Sequence, residues 1–127
     1  MLRRVRHGVQ LTPSKNSHWT ESVIHSFKAD KGGNASFARV VLDKAGKLYG
    51  TTQRGGIGTC QGGCGVVFKL APGANGKWTY SVLHRFTGPD GATPNAGLTF
   101  DKAGKHLYGT TSFGGVNGAG TVFELTP

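Results

Sequence analysis

Leu107-Tyr108-Gly109-Thr110-Thr111 stands 59 positions after Leu48-Tyr49-Gly50-Thr51-Thr52, with no residue changed. Self-similarity of this kind is the first thing to follow in a glycine-rich chain. Upstream, Asp43-Lys44-Ala45-Gly46-Lys47 returns as Asp101-Lys102-Ala103-Gly104-Lys105. Further upstream, Trp19-Thr20-Glu21-Ser22-Val23-Ile24-His25-Ser26-Phe27 returns as Trp78-Thr79-Tyr80-Ser81-Val82-Leu83-His84-Arg85-Phe86. Downstream, Gly55-Gly56 matches Gly114-Gly115, and Gly65-Val66-Val67-Phe68-Lys69-Leu70-Ala71-Pro72 matches Gly120-Thr121-Val122-Phe123-Glu124-Leu125-Thr126-Pro127. The opening belongs to the same series: Gln10-Leu11-Thr12-Pro13 repeats the closing Glu124-Leu125-Thr126-Pro127. The chain therefore divides into the tail of a repeat with a basic N-terminal extension (1–13), repeat 1 (14–72) and repeat 2 (73–127).

Each repeat reads as four short strands. In repeat 2 they are expected around Val82–Phe86, Ala96–Phe100, Leu107–Thr111 and Thr121–Leu125, from the alternation of apolar and polar residues. Asp101-Lys102-Ala103-Gly104 between the second and third has aspartate first and glycine fourth, as a tight turn requires. Four antiparallel strands per repeat of this length make an all-β fold of two β-propeller blades. Two blades leave their flat faces open to water and do not close a ring. The expectation is a head-to-tail homo-oligomer in which three or four copies complete the ring. In the propeller order the Ala96–Phe100 strand is innermost, and the Val82–Phe86 strand is the outermost of the preceding blade.

The series WTYSVLHRF, DGATPNAGL, FDKAG, LYGTT, GG and GTVFELTP resembles the bacterial GloVer tandem repeats of surface and secreted proteins. The resemblance covers nearly everything after residue 8 and implies a propeller-like array outside the cell, with no activity attached. Repeat 1 departs from the pattern at Lys31-Gly32-Gly33-Asn34-Ala35-Ser36, which lacks the counterpart of Pro94, and in the extra residues around Cys60 and Cys64.

Composition agrees with a strand-and-turn architecture. The 22 glycines are about two and a half times average usage, and they punctuate β-branched and aromatic runs. No run of 18 apolar residues suggests a membrane span, and MLRRVRHGVQLTP lacks the apolar stretch of a signal peptide. The net charge of +9 attracts polyanions without specificity, so an acidic polymer is a possible partner. Beyond Arg3, Arg4 and Arg6 the basic residues form no run and no nucleic-acid module, which disfavours nucleic acid as a dedicated ligand.

Few residues carry chemistry. His25 and His84 share one repeat position on an apolar strand face, the usual setting of a packed, hydrogen-bonded histidine. The functional alternative makes them metal ligands that converge around a ring axis, with zinc as the candidate ion and no cofactor otherwise expected. Asp30 and Asp90 lie in the loop between the first two strands, as turn residues or as ligand-binding residues of the ring mouth. Cys60 and Cys64 are separated by three residues, two of them glycine, a spacing open to a small disulfide ring, free thiols or a zinc pair. His18 and His106 are expected in turns at the other end of the repeat, and His7 in the opening segment.

The leading reading is a non-enzymatic propeller module for ligand binding or assembly. The alternatives are a zinc-dependent hydrolase of activated esters or phosphates, with a site built between subunits, and a polyanion binder driven by charge.

Overall fold

The computed structural model describes residues 4–6, 9–13, 19–28 and 30–127. It is all-β, with ten strands and one short 3₁₀ turn at Ala74–Gly76 among the described residues. A hairpin-like first sheet joins β1 (Arg4–Arg6), β2 (Val9–Pro13) and β3 (Trp19–Val23) in that order. The second sheet is a four-stranded antiparallel meander of β4 (Val41–Leu42), β5 (Leu48–Thr52), β6 (Val66–Pro72) and β7 (Trp78–Arg85). The third holds β8 (Thr99–Phe100), β9 (Leu107–Thr111) and β10 (Thr121–Leu125). Thus the Trp78 strand closes the sheet of the preceding repeat unit, in the order expected from the sequence. The basic opening at 1–3 and the residues around His7 and His18 lie outside the described residues.

The repeated turn is built by its aspartate. Asp43 Oδ1 accepts the amides of Ala45 and Lys47, both at 2.9 Å, while Gly46 supplies the φ of +83° that closes the loop. Asp101 Oδ1 accepts the Lys105 amide at 2.8 Å and the His106 amide at 3.3 Å, with Gly104 at φ +70°.

The glycine of each Leu-Tyr-Gly-Thr-Thr strand has a steric reason. Gly50 lies opposite Phe68, and a Cβ there would stand 2.6 Å from the phenylalanine ring. Gly109 lies opposite Phe123, and its Cβ would stand 2.5 Å from that ring. Each ring lies across the strand into space that a side chain would fill. The segment leading in from the preceding strand, β3 or β7, adds a second ring at an edge-on angle: Phe27 meets Phe68 at 5.3 Å and Phe86 meets Phe123 at 5.2 Å between centroids.

The alternation of β5 and β6 sends side chains to two cores. Leu48, Val66, Phe68 and Leu70 pack with Val40, and Ile24 and Phe27 from the segment after β3 cover them. Tyr49 and Val67 point the other way and pack against Phe86, Leu98 and Leu107, with Phe100, Phe123 and Leu125 of the third sheet beside them. The second sheet is therefore buried on both faces. A bulge in β7, opposite the Val67–Phe68 step of β6, leaves Leu83 unopposed, and Leu83 joins the core shared with the third sheet.

The second strand of each repeat is shorter than the sequence suggests. Ala96–Phe100 reduces to Thr99–Phe100, because the preceding backbone is engaged elsewhere. Ala92 bridges to Phe113, Thr93 sits at φ +55°, and its amide donates to the Cys64 carbonyl at 2.9 Å.

Gly50→Ala should lower stability by about 1–3 kcal/mol, because the methyl group overpacks the Phe68 ring. Chemical denaturation checks this, and the Gly50→Ala/Phe68→Leu double variant should lose less than the sum of the two single changes.

Candidate functional site

The loops that follow β3 and β7 interlock with the glycine-rich loops that follow β5 and β9. The Asp30 carbonyl accepts the amides of Gly33 and Gly56, and Asn34 bridges to Arg54. The Gly88 carbonyl accepts the amides of Gly91 and Gly115 in the same way. Backbone equivalence therefore matches Asp30 with Gly88 rather than with Asp90. The two aspartates stand at different points of the repeat, Asp30 three residues after Phe27 and Asp90 four after Phe86.

The two recurring histidines have different neighbours. His84 Nε2 meets Asp90 Oδ2 at 2.8 Å, and Asp90 Oδ1 accepts the amide and hydroxyl of Thr87 at 2.7 and 2.9 Å. Burial works against the Asp90 carboxylate, but the hydrogen bonds from Thr87 and His84 outweigh it and lower its pKa. His25 instead stacks flat on Tyr80, with centroids 4.0 Å apart and 4° between planes. Burial lowers the His25 pKa, with Asp30 opposing, so the ring is neutral at pH 7. Tyr80 donates its hydroxyl to the Gly32 carbonyl, and burial raises its pKa. Each histidine also meets the phenylalanine two residues on, at 4.8 Å in both repeats.

His25, Lys28, Asp30, Gly32 and Tyr80 line a recess of about 210 Å³. Asp30 Oδ1 is occupied by the Gly32 amide at 2.7 Å. Among the described residues, no three histidine, cysteine or acidic side chains gather to hold an ion. Cys60 and Cys64 form a disulfide, and the Cys64 end is buried in the core between the second and third sheets. A wider groove of about 400 Å³ runs between the two aspartate turns, with Leu42 and Phe100 in it and Lys44 and Lys102 on its rims. Its aspartates are already engaged. Asp43 Oδ2 takes the Tyr49 hydroxyl at 3.0 Å and Asp101 Oδ2 takes His106 Nδ1 at 2.8 Å. The His106 and Lys105 hydrogen bonds bring the Asp101 pKa down to about 2.

The largest difference between the repeats lies on the free face of the third sheet. Val122 is 81% exposed, whereas Val67 at the same repeat position is 0% exposed. Tyr108 is 38% exposed against 4% for Tyr49, and Thr110 is exposed where Thr51 is buried. At the loop tip, Val116 is 99% exposed against 44% for Ile57. Among the described residues, no strand lies beside the outer edge of β10, where β6 has β7. Candidates chosen by residue chemistry alone miss this surface; its signal is the match of apolar Tyr108 and Val122 to residues of a repeat interior.

Fold and surface together define an all-β tandem-repeat protein in which one repeat packs on the next. The Gloeobacter/Verrucomicrobia repeat family matches residues 7–127, and the chain belongs to that family. No curated protein and no solved structure matches it.

Because folding holds His25 neutral, the unfolded chain binds the extra proton, and stability should fall as pH drops below the ordinary imidazole pKa of 6.5. In His25→Gln this part of the acid loss should disappear. Denaturation midpoints at pH values above and below that pKa, measured for both proteins, give the comparison.

Proposed function

We propose that the chain is a non-enzymatic assembly module, a pair of propeller blades that completes its fold with further copies of itself. The observation that carries this reading is the contrast between Val67 at 0% and Val122 at 81% exposure. The same residue type on the same strand face is core in one sheet and surface in the next, and the difference is whether a following repeat covers it. Tyr49 and Tyr108, Thr51 and Thr110, and Ile57 and Val116 repeat the contrast.

The chain itself carries a contact of the matching kind. Leu98, Leu107, Phe123 and Leu125 of the third sheet cover Tyr49 and Val67, and their counterparts in the second sheet are Val40, Leu48, Phe68 and Leu70. In a second copy those residues are already buried, and Leu42 at their margin, 41% exposed, is the part placed to meet Tyr108 and Val122. Such a contact joins two different surfaces, so it propagates head to tail and closes when the rotation divides a full turn. Three copies give six blades and four give eight, a range in which propellers close. The ring mouth, where the Asp30, Asp90 and Cys60–Cys64 loops converge, is then the place for a ligand, as in other ring-shaped binding proteins.

The expected solution mass at micromolar concentration is that of three or four copies. Val122→Asp should yield a folded monomer, since an unpaired carboxylate in this contact weakens association by at least about a hundredfold. Sedimentation or light scattering reads both results, and a monomeric parent chain would refute the proposal.

A further inference from the structure

β2 and the outer half of β6 do the same thing in two places. In the second sheet, Phe68, Lys69, Leu70, Ala71 and Pro72 pair with Val82, Ser81, Tyr80, Thr79 and Trp78. In the first sheet, Val9, Gln10, Leu11, Thr12 and Pro13 pair with Val23, Ser22, Glu21, Thr20 and Trp19, which is the same register position by position. The third strand of this type is β10, and among the described residues no strand pairs with the outer side of Phe123 to Leu125, Thr126 and Pro127. Leu11-Thr12-Pro13 and Leu125-Thr126-Pro127 are identical. The chain thus holds one β3 strand and two segments built to pair with it.

We infer that β3 of one copy exchanges partners on assembly, leaving its own β2 for the β10 edge of the next copy. This rests on the assembly reading above and specifies its contact. The pairing is Phe123 with Val23, Glu124 with Ser22, Leu125 with Glu21, Thr126 with Thr20 and Pro127 with Trp19. Since the register is unchanged, every β3 side chain keeps its face, so exchange requires no strand slip.

Three observations favour β10 over β2. First, β10 is the firmer template, because Phe123 and Leu125 are anchored in the core with the second sheet, and β9 pairs along its whole length. β2 pairs on its other side with the three residues of β1. Second, Trp19 and Val23 are 51% and 61% exposed, whereas Trp78 and Val82 at the same positions are half-buried in the second-sheet core. A β3 on β2 leaves apolar surface in water that the β6–β7 arrangement covers. Third, the path onward from β3 is already set. Ile24 and Phe27 pack on Phe68, as Leu83 and Phe86 pack beside Phe123. A β3 placed on a neighbour's β10 therefore brings its own second sheet over the neighbour's exposed Tyr108 and Val122. Edge and face are satisfied by one movement.

The occupant is a second copy of this chain, held by backbone pairing along one edge and by apolar packing on the adjoining face. β2 then acts as an internal competitor. It covers the β3 edge while copies are dilute and sets the concentration at which assembly begins.

Two cysteine pairs separate the possibilities in the full chain. Thr20→Cys/Thr126→Cys, oxidised at assembling concentration, should give covalently linked copies that a non-reducing gel resolves. Thr12→Cys/Thr20→Cys should, once oxidised, lock β2 onto β3 and leave a folded monomer. A phosphine reductant should restore its assembly, with the unaltered chain in the same reductant as control, since Cys60–Cys64 also opens. Leu11→Pro, which removes an amide hydrogen from β2, should lower the concentration for half-assembly by about tenfold. A locked protein that assembles as well as the unlocked one overturns the exchange while leaving assembly intact. A parent chain that stays monomeric at every concentration overturns both.

Discussion

The ring of Phe68 lying across Gly50, and of Phe123 across Gly109, is the contact on which the repeat depends. A glycine in mid-strand weakens a sheet by about 0.5–1 kcal/mol relative to alanine. Here the missing side chain admits a large ring to the strand surface, and the apolar area buried offsets that cost. The ring then becomes the platform for the next one. Phe27 and Phe86 approach edge-on from the segments that follow β3 and β7, so each sheet is joined to the strand that leads into it. One steric fit within a strand pair thereby sets the stacking of successive units.

On that shared frame the polar residues diverge. Asp43 is met by a tyrosine hydroxyl and Asp101 by an imidazole, which frees Tyr108 to donate to Glu124 at 2.6 Å. His25 has an aromatic ring for a neighbour and His84 a carboxylate. The strand pairing stays the same through these changes, although His106 makes the second aspartate turn one residue longer, because turns and strands are held by main-chain amides, aspartate Oδ1 and glycine φ. Polar side chains on such a frame are free to vary, so chemistry specific to either repeat belongs to them and not to the Leu-Tyr-Gly-Thr-Thr strands.

Much of the fold was legible in the residues. The all-β class, the aspartate turns and the placing of the Trp78 strand on the preceding sheet all follow from local pattern and from its recurrence. The short β8 was not, because Thr93 and Ala92 make their hydrogen bonds to Cys64 and Phe113, which are distant in sequence. The histidine neighbours escaped for the same reason. Asp90 lies six residues from His84, in a loop whose path depends on positive-φ glycines, and Tyr80 lies 55 residues from His25. A shared repeat position predicted a shared role for the histidines, and their surroundings differ instead. Grouping Asp30 with Asp90 by order in the chain likewise hid that Asp30 aligns with Gly88 in the backbone bonding.

An open strand edge beside an apolar face is ordinarily a hazard, since it accepts any extended chain. Several features here narrow what it accepts. The free length of β10 is five residues, too short to hold a partner by backbone bonds alone. Useful binding therefore requires the adjoining face to be filled as well, by a sheet carrying apolar residues at the depths of Tyr108 and Val122. A charge of +9 on every copy opposes loose association, and only a contact with enough apolar burial overcomes that repulsion. The repeat supplies such a contact because it is cut from the same pattern as the interior it continues. Specificity in this architecture comes from requiring edge, face and register together, each of which the chain already satisfies once within itself.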